Sequence, residues 1–150
     1  MKDLLKLAGD AAQSLADDPV LGASALQLAD AVKALGAVLA QLPGRENATL
    51  LMVLNAVPIL DMLGHVVGGY LLLQQAGLAR QKALALMGER GVDPADQAAV
   101  RVHLAGSRDA AFYQNKVQAA IHFAHRGLPL VAAHAVALLS GETAPMAAVF

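Results

Sequence analysis

Cysteine and tryptophan are both absent from this 150-residue chain, and aromatic residues make up only 3% of it. Without a thiol there is no disulfide, no thiolate nucleophile and no Cys-ligated zinc or iron–sulfur cluster. That fits a reducing compartment, and a cytoplasmic location is expected. With so few rings, the core has to be made of aliphatic seams. Charge is scarce and balanced: 15% of the residues are charged and the formal net charge is −1. No basic block is present to neutralise a phosphate backbone, which argues against nucleic acid as a partner. The opening MKDLLKLAGD carries Asp3, Lys6 and Asp10 where a signal peptide needs an unbroken apolar run, so none is expected.

Apolar residues, by contrast, make up 57% of the chain. Much of this is Ala and Leu, the strongest helix formers, with few β-branched runs. No segment alternates apolar and polar residues in the manner of a strand. The reading is all-α: an up-down antiparallel bundle of three to four long helices, kinked at Pro58 and Pro129. A chain of this length suits a single domain and buries roughly two thirds of its unfolded surface. The spacing predicts a linker or short helix over 1–17, helices over 18–42, 48–88 and 94–140, and a tail over 141–150.

The longest apolar stretch, Ala48 to Leu73, organises the rest. Only Asn55, Asp61 and His65 are plainly polar in it. A helix apolar nearly all round has to be covered nearly all round, by other helices, a partner or lipid. Asp61, Asn55, Pro58 and the glycines count against insertion, and no polybasic flank sets an orientation. A buried core helix is expected here and no membrane span.

Along the chain, Leu4, Leu7, Ala11 and Leu15 share one face of the first short helix. Asp18 and Pro19 suit an N-cap and first helical position. Leu21, Ala25, Leu28, Val32, Leu35, Leu39 and Leu42 then form a heptad seam. Asn47 is the expected cap of the central helix, and Gly88 and Gly91 its stop. Asp93-Pro94-Ala95-Asp96 starts another helix. Gly106-Ser107 either breaks it, with Ser107 as a fresh cap, or is passed through. Val117, Ala120 or Ile121, Ala124, Leu128, Val131, Ala135 and Leu138 make the last seam.

Asp61 and His65 stand one helical turn apart, where a carboxylate can orient an imidazole for acid–base work, and the enzyme alternative is an acid–base site around Asp61, His65 and Tyr113. With no third polar group to complete a constellation, a satisfied polar pair is the favoured reading. His122 and His125 could converge on a metal. Bundle di-metal sites use Glu-x-x-His pairs, however, and no Glu stands three residues before a His. Gly64, Gly68 and Gly69 strip side chains from one face and allow close helix packing. Tyr113 and Lys116, beside Phe112, lie near the start of the last helix, where aromatics commonly close a bundle end.

The run from Val57 through Gly64, His65, Gly68, Gly69 and Tyr70 to Leu73 resembles a helix of the extra C-terminal domain of large bacterial acyl-CoA dehydrogenases. The similarity continues in order through Phe112-Tyr113, Lys116, Ala120, Phe123, Leu128-Pro129 and Gly141. The opening MKDLLKLAGDAAQSL looks like the linker and first helix that follow the catalytic portion, so the resemblance covers nearly the whole chain. The family often has Arg where His122 stands. The resemblance implies a helical bundle appended to an FAD-dependent enzyme of fatty acid metabolism that oxidises acyl-CoA thioesters. The catalytic glutamate and FAD contacts would lie in the catalytic region. This chain would hold no cofactor, no metal and no catalytic residue.

The expected function is therefore that of a non-catalytic accessory domain. Its partner would be an acyl-CoA dehydrogenase catalytic domain, in cis or in trans, and a homo-oligomer is expected. Asp61, Gly64, His65, Gly68, Gly69, Tyr70, Tyr113, Lys116 and His122 are the candidate packing and interface residues. The alternative is a stand-alone bundle that binds an acyl chain or another small apolar ligand.

Overall fold

The computed structural model describes residues 2–144 and is all-α, with no strand among them. Its helices are α1 (Lys2–Ser14), α2 (Gly22–Gln41), α3 (Ala48–Leu54), α4 (Ala56–Glu89), α5 (Gln97–Gly106), α6 (Arg108–Arg126) and α7 (Leu128–Leu139), with a 3-10 turn at Leu42–Gly44. The expected tail falls at 145–150 outside the described residues. α4, of 34 residues, is the longest helix. It packs chiefly on α6 and also touches α7, α2 and α1, while α2 packs on α7 and α1.

The expected helices are divided more finely than the spacing predicts. The segment 48–88 is interrupted at Asn55, three residues before Pro58. Proline lacks the donor that would reach the Leu54 carbonyl, and its ring crowds that oxygen. Asn55 Nδ2 instead donates to the Leu51 carbonyl at 2.8 Å. The segment 94–140 becomes three helices. Ser107 is extended and its Oγ accepts from Ala110 N, which resolves the Gly106-Ser107 ambiguity as a break. A second interruption, at Gly127, precedes Pro129, which stands in the first turn of α7.

Capping differs in two places. Asn47 does not cap the central segment: its φ is 59° and its side chain makes no cap hydrogen bond. Asp96, not Asp93, caps α5, accepting from Ala98 N and Ala99 N. The Asp93 carboxylate is taken by Ala95 N one turn earlier. Asp18 does receive Val20 N and Leu21 N, at 2.8 and 2.9 Å, but on a turn that runs into α2 at Gly22. A Cβ on Gly22 would lie 2.5 Å from the Ala16 carbonyl oxygen, so this tight return requires glycine.

The core is aliphatic. Leu21, Leu28, Leu35, Val38 and Leu42 of the second segment meet Met62, Val66 and Leu73 of α4 and Val117, Ala124, Leu128, Val131 and Leu138 of the last two helices. The last seam is buried along its length, with Ile121 half-buried beside Ala120. The α2 seam is broader than a strict heptad, because Ala31 and Val38 are buried while Val32 and Leu39 are only half so. In α1 the buried face is Ala8, Ala11 and Ala12, and Leu7 points outward. Small alanines let α1 lie close to both α2 and α4.

Candidate functional site

The sequence requires a covered central helix, and the chain itself covers only one side of it. On α4 the inward row is Met62, Val66, Gly69, Leu73, Ala76, Ala83 and Met87, all buried. The opposite row reads Val57, Leu60, Gly64, Val67, Leu71, Gln74 and Leu78, with spacings that alternate between three and four. That is a second heptad seam on the same helix. Val57, Leu60, Leu71 and Leu78 are 68%, 65%, 48% and 62% exposed, and Gly64 is open. The expectation of nearly all-round burial is thus corrected: α1 and α6 flank the helix and leave the outer seam bare except at Val67, which is half-buried. By length and composition alone, Gly22–Gly44 and Ala56–Glu89 are each apolar enough to cross a membrane.

The three glycines do different things. A Cβ on Gly69 would stand 2.7 Å from Leu128 Cδ2, and one on Gly68 would stand 3.2 Å from the Phe123 ring. These two admit α7 and α6 to the backbone of α4. Among the described residues nothing lies within 4 Å of a Cβ on Gly64. Its expected role in close packing is therefore not exercised by them.

Asp61 and His65 do not form a carboxylate–imidazole pair. His65 Nδ1 lies 2.7 Å from the backbone carbonyl oxygen of Asp61, and an oxygen of that kind can only accept, so Nδ1 carries the proton. The imidazole lies against the Phe123 ring, with centroids 6.0 Å apart and planes inclined by 24°. The Asp61 carboxylate is left exposed. Together with Leu60, Gly64 and Phe123 these residues line an open groove of about 370 Å³ between α4 and α6. Tyr113 is not nearby: ten residues separate it from Phe123 in α6, roughly 15 Å along the axis. Among the described residues, these three do not assemble into an acid–base constellation.

Tyr113 belongs instead to a second groove between the same two helices, of about 350 Å³, lined by Leu78, Lys82, Phe112, Tyr113 and Lys116. Phe112 and Tyr113 meet edge to face at 5.5 Å. Lys82 Nζ stands 5.5 Å from the Tyr113 ring centre and Lys116 Nζ 5.7 Å from that of Phe112. Lys116 also donates to Gln75 Oε1 at 3.1 Å. Cations held over aromatic faces keep their charge near an apolar floor. The Lys82 cation over Tyr113 escaped the sequence reading, because residues 31 positions apart meet only when α4 and α6 pack.

His122 is exposed, and Tyr70 is half-buried against the core. His125 Nε2 lies 3.4 Å from Ser24 Oγ. Among the described residues, no three metal-ligating side chains cluster.

The family described as acetyl-CoA dehydrogenase C-terminal like matches over residues 4–148. No curated protein and no solved structure matches the chain.

Proposed function

The chain belongs to the acetyl-CoA dehydrogenase C-terminal-like family, and from that premise we propose that it is a non-catalytic accessory domain of an acyl-CoA dehydrogenase-like flavoenzyme. In this reading it associates with the catalytic region, in cis or in trans, and brings subunits together in the cytoplasm. The same reading takes the helices as an up-down bundle bent at Pro58 and Pro129.

The observation that carries the proposal is the bare outer seam of α4. A row of exposed aliphatics that spans about 30 Å along one helix is a surface that a folded partner stabilises by covering. FAD is left to the catalytic region. The Asp61–His65 geometry agrees with a domain that supplies surface and not chemistry. Both grooves lie open to solvent, whereas a small-molecule site buries most of its ligand's surface, which favours the accessory reading over a ligand-binding bundle.

The test is to add the 150-residue chain to the FAD-loaded catalytic region of an acyl-CoA dehydrogenase from the same genome and to make the covalent fusion as well. Light scattering and the melting temperature of the bound flavin then report association. A rise in assembly size or flavin stability is expected. Indifference in both formats would overturn the proposal.

A further inference from the structure

We propose that the occupant of the outer α4 seam is α4 of a second copy of this chain, laid antiparallel about a two-fold axis near Gly69. The proposal deepens the assembly role given above and rests on it only in sharing the uncovered face.

The argument is one of self-complementarity. The two grooves along α4 and α6 differ in charge. The one at the N-terminal half carries the exposed carboxylate of Asp61 beside Leu60 and Gly64. The one at the C-terminal half carries Lys82 and Lys116 beside Leu78 and Phe112. Among the described residues the ion pairs are Lys6–Asp10 and Asp18–Arg80, so Asp61, Lys82 and Lys116 have no partner of opposite charge. Reversing one helix over the other brings the acidic groove of each copy onto the basic groove of its mate.

The heptad fixes the register. In an antiparallel pair, layers join positions whose numbers have a constant sum. A single register places Leu60 over Leu78 of the second copy, Val67 over Leu71 and Gly64 over Gln74. In that register the flanking column Asp61, Gly68, Gln75 and Lys82 faces itself five residues out of step with the core layers, about 7.5 Å along the axis, and because each side chain leans toward its own N-terminus, Asp61 of each copy leans toward Lys82 of the other. Gly64, with open space around it, leaves room for the longer Gln74 opposite. The two grooves, of about 370 and 350 Å³, each have one of the paired leucines on their lining and receive the other. A lipid surface fits less well, because Gln74 interrupts the apolar row and Asp61, Gln75 and Lys82 flank it.

Sedimentation of the 150-residue chain over a range of concentrations tests the association. A dimer is expected. Asp61→Lys or Lys82→Asp alone should raise its dissociation constant by about tenfold or more, and the double exchange should restore most of the affinity. Both residues are exposed, so circular dichroism should show the fold unchanged. The chain has no cysteine of its own, so register can be read by cross-linking. Under oxidant, a mixture of Leu60→Cys and Leu78→Cys chains should form the mixed disulfide in preference to either like pair. A monomer at every concentration, a dimer indifferent to both charge reversals, or preferred Leu60→Cys self-linking would overturn the proposal. So would binding to phosphatidylcholine vesicles in place of dimerisation. In each of those cases, association with the catalytic region would still be free to succeed, so the two readings fail separately.

Discussion

The carboxylate of Asp18 accepts a hydrogen bond from Arg80 Nε at 2.9 Å while its other oxygen takes the backbone N–H groups of Val20 and Leu21. One side chain thereby closes the turn before α2 and fastens it to the C-terminal third of α4, 62 residues away. Both partners are about three quarters buried, at 23% and 24% side-chain exposure, so solvent screens the pair only in part.

That geometry sets a pH dependence. Desolvation raises the Asp18 carboxyl pKa, but the Leu21 and Val20 N–H groups and the Arg80 guanidinium outweigh it and hold the value below the ordinary one. A carboxyl held low in the fold adds stability that is fully present above its unfolded pKa of about 3.9 and is lost as pH falls through the folded value. Asp18→Asn should cost about 1 kcal/mol near neutral pH. It should also flatten the loss of stability below about pH 4. Urea unfolding of both proteins across the acid range checks this, and parallel curves would count against it.

The contact between Gly69 and Leu128 should show strong coupling. Gly69→Ala alone presses a methyl group into Leu128 and should destabilise by roughly 1–3 kcal/mol. Leu128→Ala should cost about 2–5 kcal/mol by leaving a cavity. In the double variant the new methyl group occupies part of that cavity, so the sum of the single losses should exceed the double loss by about 1 kcal/mol or more. Gly64→Ala, by contrast, meets no group of its own chain among the described residues. It should stabilise the helix by about 0.5–1 kcal/mol. Denaturant titrations of the four proteins read all of these.

At a pH where the ring is unprotonated, nitrogen-15 NMR should find the remaining His65 proton on Nδ1, because that atom faces the Asp61 carbonyl oxygen at 2.7 Å. The acceptor is main chain. Asp61→Ala should therefore leave the tautomer in place, whereas a carboxylate-oriented imidazole would change. A mixture of tautomers in the native chain would contradict the geometry.

Arg45 should matter to the end of α7. Its Nη2 donates to the Leu139 carbonyl at 2.6 Å, satisfying one of the last acceptors of that helix and placing a cation at its C-terminus. Arg45→Ala should cost about 0.5–1 kcal/mol. Amide exchange at Ser140 and Gly141 should quicken before that of the α7 interior. Unchanged protection there would show that the contact adds nothing.

Much of the architecture follows from residue order alone. Leu and Ala in helical spacing specify helices, and Asp18, Pro19, Ser107, Gly127 and Pro129 mark boundaries because capping and proline geometry act within a few residues. The last seam, Val117 to Leu138, is legible for the same reason: four- and three-residue steps put those side chains on one line. Which of two competing lines on a helix turns inward is a different matter. Residues 56–89 carry two apolar rows, and periodicity ranks neither. Packing of α2, α6 and α7 chose the row of Met62, Val66 and Leu73, where Gly69 admits Leu128, and left Val57, Leu60, Leu71 and Leu78 outside. Likewise, the four-residue step from Asp61 to His65 shows only that the two lie on one face. The protein's packing against Phe123 turned the imidazole toward a carbonyl instead of a carboxylate. Local chemistry fixes what a segment can form, since its forces reach only a turn or two, whereas the face that meets solvent is settled by neighbours distant in the chain.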